Sequence, residues 1–104
     1  MPRIGFKMKL LEGCADEYKR RHDALWPELH TLLKTAAISD YSIFLDDETN
    51  ILFGVLNIIE SAALGDLPKD PIMQKWWAYM ADIMETNADH SPINIPLQSV
   101  FFMA

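Results

Sequence analysis

A phenol and an imidazole stand four residues apart at Tyr18 and His22, inside Tyr18-Lys-Arg-Arg-His22-Asp-Ala-Leu-Trp26-Pro27-Glu28. On a helix, that spacing puts two side chains on one face, one above the other. The same face continues through Trp26, Leu29 and Leu33, so it points inward. An imidazole is the side chain best suited to moving protons at neutral pH, and a phenol beside it can orient a hydroxylated ligand. A helix-face histidine more often only packs or bonds a neighbour, and the flanking Tyr18 and Trp26 bring a proton-transfer role for His22 level with that reading. His30 and His90 sit in settings that read as surface. Three histidines so spaced, with no carboxylate-bearing ligand motif, make no metal site.

A second aromatic pair, Trp76-Trp77, lies far down the chain. Adjacent helical residues point roughly 100° apart, so at most one of them is central core. The other caps a cavity, an interface or open water. An aromatic wall of this kind suits the apolar face of a sugar ring or a flat cofactor. Tyr41 is placed on a strand, where its hydroxyl either bonds backbone or faces a ligand. Cys14 has no histidine partner motif and reads as a small core residue. No G-x-S-x-G, phosphate-binding loop or G-x-G-x-x-G is present.

The elements that must position these residues follow from periodicity. Residues 3–10 alternate, with Ile4, Phe6, Met8 and Leu10 on one side, and so predict a half-buried strand. A helix begins near Ala15, with Asp16 and Glu17 favourably placed in its first turn. Its stripe runs Cys14, Tyr18, His22, Leu25, Leu29, Leu32 and Ala36. Pro27 interrupts it, predicting a kink or a break with Pro27 in the first turn of a second segment. Residues 38–46 and 51–59 read as strands joined by a polar hairpin loop at Asp46–Asn50. In the first of them Tyr41, Ile43 and Leu45 share a face. Residues 61–70 are small and polar, with room for one helical turn. Pro71 opens another helix, with Ile72, Trp76, Tyr79, Met80 and Ile83 in one stripe and Met73, Trp77 and Met84 beside it. Residues 86–96 read as loop and Val100–Met103 as a last strand.

The order β-α-β-β-α-β over a single domain, 1–104, predicts an α+β ferredoxin-like fold: an antiparallel sheet with both helices on one face. The other face of the sheet is left bare and apolar. That predicts a homodimer with two sheets face to face. The net charge of −6 argues against nucleic acid. Residues 1–34 carry seven basic and five acidic side chains (+2), and residues 35–104 two and ten (−8). The only basic cluster, Lys19-Arg20-Arg21, reads as a solvated helix face. No apolar run approaches the ~20 residues of a membrane span, and no signal peptide is read. With one cysteine and no internal disulfide, the expected compartment is cytoplasmic.

Taken together, Tyr18-x-x-x-His22, Trp26-Pro27-Glu28, Tyr41 with Phe44-Leu45-Asp46, and Gln74-Lys75-Trp76-Trp77-x-Tyr79-Met80 resemble the L-rhamnose mutarotase family. The likeness runs essentially end to end. It implies a cytoplasmic homodimer of the dimeric α+β barrel type that interconverts the α and β anomers of L-rhamnose without a cofactor. It also implies that His22 is the proton donor and that Tyr18, Tyr41, Trp76 and Trp77 line the sugar site. The base partner stays open among Tyr18, a carboxylate and water. Two other classes compete with this reading. One is a small cofactor-independent or haem-handling monooxygenase of the same architecture. The other is a sugar-binding module without catalysis.

Overall fold

The computed structural model describes residues 3–59 and 65–104. Strand β1 spans Arg3–Lys9, and its alternation is as expected: Phe6 and Met8 are buried, while Lys7 and Lys9 lie on the other face. Helix α1 follows at Ala15–Asp23 and α2 at Pro27–Thr35. Proline is tolerated at the first helical position because the missing N–H would have no partner there. The residue before it is driven into the extended region, and Trp26 accordingly has φ −61° and ψ 131°. The predicted break is therefore real, and it lies just beyond His22.

Strands β2, Ile38–Asp46, and β3, Ile51–Ile58, form the hairpin. Helix α3 spans Pro71–Met80, with the Asp70 side chain capping Ile72 N at 2.8 Å. A short 3-10 turn at Leu67–Lys69 precedes it, within the segment expected to hold one turn. Part of that segment, residues 61–64, lies outside the described residues. The stripe through Met84 predicts a longer helix than is found. After Met80 the chain leaves the helix so that Ile83 and Met84 can lie buried beside the end of β1. Leu11 N donates to Ile83 O, and Glu85 N to Lys9 O, each at 2.9 Å.

The sheet has the order β2-β3-β1-β4, all antiparallel, where β4 is Ile95–Pro96. This is the split β-α-β arrangement. The last strand differs from expectation in position. Val100–Met103 is exposed and unpaired, and the strand lies inside the stretch read as loop. Register gives the reason. Phe6 faces Pro96 and Lys7 faces Ile95, so Ser99 falls opposite Arg3, the first residue of β1. Among the described residues, the apolar tail then has no strand to pair with. Pro96 lacks an N–H, which is tolerated on such an edge.

A bulge in β2 sets which residues face the helices. Ser39 pairs with Asn57 but Ser42 with Val55, so β2 carries one extra residue against β3. Asp40 takes up the strain at φ 50°, and its carboxylate accepts from Asn57 Nδ2 at 3.0 Å. The extra residue reverses the alternation. Ile38 before it, and Ile43 and Leu45 after it, all turn toward the helical layer. The core lies between that face and the helices: Phe6, Met8, Leu52, Leu56 and Ile58 from the sheet meet Tyr18, Leu29, Trp76 and Met80.

Gly54 faces the same layer, and a Cβ there would overlap the ring of Phe6. The ring therefore lies flat against the sheet, where it meets Tyr41 edge-on at 6.1 Å. Gly54→Ala is expected to cost about 1–3 kcal/mol through overpacking, read as a lower urea midpoint. An unchanged midpoint would mean that the Phe6 ring shifts without cost.

Candidate functional site

Tyr18, His22, Tyr41, Trp76 and Trp77 all line one part-open cavity of ≈ 1260 Å³ between the helices and the sheet. Three elements bring them there. Helix α1 carries Tyr18 and His22, the bulged stretch of β2 carries Tyr41, and α3 carries the two tryptophans. Phe6, Leu29 and Met73 close the walls with apolar surface, and Ser91, Pro92 and Asn94 lie at its edge.

The imidazole is held on three sides. Its ring stacks on Tyr18 at 4.2 Å and 25°, and it meets the Trp76 ring edge-on at 5.3 Å. Trp76 in turn contacts Trp26 at 5.1 Å. His22 Nδ1 lies 3.0 Å from the Tyr18 carbonyl oxygen. A carbonyl only accepts, so Nδ1 carries the hydrogen and donates it. In the neutral ring, Nε2 is then the nitrogen with the lone pair. The sequence placed both partners, since four residues is one helical turn. The loss of helix just past Asp23 leaves the ring at the end of α1 rather than under another turn.

The two tryptophans divide as their spacing requires. Trp76 is 6% exposed and belongs to the core cluster, while Trp77 is half-buried and packs against that cluster from the side. His30 and His90 are exposed, as expected, although His30 borders the cavity. Cys14 is half-buried just before α1 and packs against the core.

Electrostatics follow from burial. Desolvation lowers the His22 pKa from its ordinary value of 6.5, against the opposing effect of the Tyr18 carbonyl. Burial also raises the Tyr18 phenol far above its ordinary value, with the nearby Tyr41 adding to it. Tyr41 is pushed up to about 12 by burial. It nevertheless keeps 40% of its surface and borders the open cavity. Both phenols therefore stay protonated at neutral pH.

The lowered imidazole has a consequence for stability. The unfolded chain binds its proton at about pH 6.5, and the folded chain only at a lower pH. Between those values the unfolded state holds more protons, so stability rises with pH. The contribution is complete above pH 6.5 and is lost as pH falls through the folded pKa. Wild type is expected to lose thermal stability between pH 7 and pH 5.5 by more than His22→Asn does. Parallel slopes in differential scanning calorimetry would refute this.

One buried cation escaped the sequence reading. Lys19 and Arg20 are exposed, as a solvated face should be, but Arg21 is 9% exposed. The signal was present, because position 21 lies three residues from Tyr18 and four from Leu25, on the buried side of the turn. Among the described residues, no group of three or more His, Cys, Asp or Glu side chains is assembled to hold a metal ion. No helix among them is long and apolar enough to cross a membrane.

The sequence profile of L-rhamnose mutarotase matches residues 3–103. The L-rhamnose mutarotase of Sinorhizobium fredii is 60% identical over 104 residues, covering 100% of both chains. That of Rhizobium meliloti is 56% identical over 103 residues, covering 99% of each. The crystal structure of L-rhamnose mutarotase from Formosa agariphila superposes with a TM-score of 0.94 at 50% identity, covering 100% of both chains.

Proposed function

Because this chain belongs to the L-rhamnose mutarotase family, we propose that it is an isomerase interconverting the α and β anomers of L-rhamnose. The observation that carries this reading is the meeting of His22, both phenols and both indoles around one cavity. His22 is the proton carrier, and Tyr18, Tyr41, Trp76 and Trp77 hold the sugar.

Mutarotation opens the ring by protonating the ring oxygen while the anomeric hydroxyl loses its proton. The aldehyde turns, and the ring closes on its other face by the reverse transfers. The two oxygens are bonded to the same carbon, so one nitrogen can reach both. His22 Nε2, neutral at rest, takes the anomeric proton. As imidazolium it gives that proton to the ring oxygen, and it takes it back on closure. No net proton is gained or lost. The phenols donate hydrogen bonds to sugar oxygens, since neither ionises at neutral pH. The indoles cover the C–H face and the 6-deoxy methyl and keep water away. Saturation-transfer NMR on L-rhamnose tests the reaction. Faster exchange between anomer signals supports it. Binding without faster exchange would make the protein a sugar-binding module instead.

The working unit in this reading is a cytoplasmic homodimer joined through the outer face of the sheet. Support comes from that face. Phe44 pairs with Phe53 and Ser42 with Val55, all turned from the helices, and Phe44 is 65% exposed. Ile95 shares the face across β1. An open apolar sheet face of this kind marks an interface. Sedimentation is expected to give a dimer for wild type and a monomer for Phe44→Asp. A wild-type monomer at micromolar concentration overturns it.

A further inference from the structure

We propose that Arg21 is a positioning residue, joining α1 to the C-terminal end of α3 and so fixing the gap across which the imidazole meets the sugar. Helix α1 brings Tyr18 and His22, and α3 brings Trp76 and Trp77. The inference rests on the sugar-isomerase reading for its catalytic consequence, but the geometry stands without it.

The guanidinium is held by three elements at once. Within α1, Nε donates to Glu17 Oε2 at 2.6 Å. Across the gap, Nη1 donates to the Tyr79 carbonyl oxygen at 2.7 Å. That carbonyl is among the last four of α3, which have no partner inside the helix and favour a cation. Just past the helix, Asp82 accepts in bidentate fashion, from Nη1 at 2.8 Å and Nη2 at 3.2 Å. A planar fork suits this task, and a point charge does not. The guanidinium also lies 4.5 Å over the Tyr79 ring.

From there the contacts lead to the site. Tyr79 packs on Trp26 at 5.5 Å and on Trp76 at 5.7 Å, and Trp76 meets the His22 ring edge-on. Residue 21 is also the immediate neighbour of the proton carrier. The helical backbone does not brace this end of α1, because the helix stops at Asp23 and the chain breaks before Pro27. Misplacement of a reacting group by about 1 Å can cost on the order of 10²-fold in rate. Tyr18 moves with the imidazole, but Trp76, Trp77 and Tyr41 belong to α3 and the sheet and survive such a shift.

The test compares wild type with Arg21→Met, which keeps an unbranched stem without the guanidinium, and with Arg21→Lys and Asp82→Asn. All are measured well below their melting temperatures. Arg21→Met is expected to lower kcat for anomer exchange about 10²-fold, with KM changed less than threefold. Arg21→Lys should recover only part of kcat, and Asp82→Asn should lose a few-fold. The His22 ring protons, which feel the Tyr18 and Trp76 ring currents, should shift toward free-histidine positions in the same order. Unchanged kcat and unchanged ring-proton shifts in a folded Arg21→Met overturn the proposal and leave a merely structural ion pair. If Arg21→Met does not fold, Arg21→Lys and Asp82→Asn decide by the same two readouts. A wild type without anomer exchange would sink the sugar-isomerase reading instead, and the ring-proton shifts would still judge the clamp.

Discussion

His22→Asn is expected to remove catalysed anomer exchange while leaving the fold intact. General acid–base transfer by a positioned side chain contributes typically 10²–10⁴-fold, and the other imidazole bordering the cavity, His30, is exposed. Asparagine is close in size and keeps a polar head, so stacking on Tyr18 is reduced but no large void opens. The magnetisation transfer between the α and β anomer signals of L-rhamnose should fall to the level of buffer. The urea midpoint should stay near wild type at neutral pH. A second signature follows from burial. The imidazole is held below its ordinary pKa by desolvation, and the cycle starts from neutral Nε2. Wild-type kcat/KM is then flat through pH 7 and falls only as pH drops below the folded pKa, which is under 6.5. Wild-type exchange rates in the variant would exclude His22 as the proton carrier.

How much of this was legible in the sequence differs by element. Tyr18 and His22 were readable because both sit within one helix, where spacing alone fixes their common face. Pro27 announced the break between α1 and α2 for an equally local reason. The two tryptophans were readable as unequal because adjacent residues cannot share a helical face. Tyr41 was legible as far as its face, because the two-residue alternation sets it with Ile43 and Leu45. The bulge that brings Ile38 onto the same face depends on Asp40 holding φ 50° and on Asn57 bonding it from β3. No period within β2 contains that information. The last strand was misplaced for a related reason. Val100–Met103 has the composition of a strand, yet pairing needs an edge, and β1 has run out by the time the chain arrives. Arg21 was lost in a run of like charges, because its partners Tyr79 and Asp82 lie some sixty residues away.

The indole pair should separate stability from recognition. Trp76 is buried in the core and touches His22, Trp26 and Tyr79. Truncating a buried tryptophan removes apolar contact and leaves a cavity, at a cost of about 3–5 kcal/mol. Trp76→Ala is therefore expected to lower the urea midpoint sharply and to lose activity as the imidazole loses one of its supports. Trp77 is half-buried, borders the same cavity and takes no part in the ring contacts that hold His22. Its truncation removes wall without removing support. Trp77→Ala should raise KM about tenfold, equivalent to ~1.4 kcal/mol, while kcat stays within a few-fold of wild type. That pattern is the mark of lost uniform binding rather than lost transition-state stabilisation. Equal losses of stability in the two variants would show that both indoles are core. An unchanged KM in Trp77→Ala would remove it from the sugar wall and leave Trp76 and the two phenols to hold the ring.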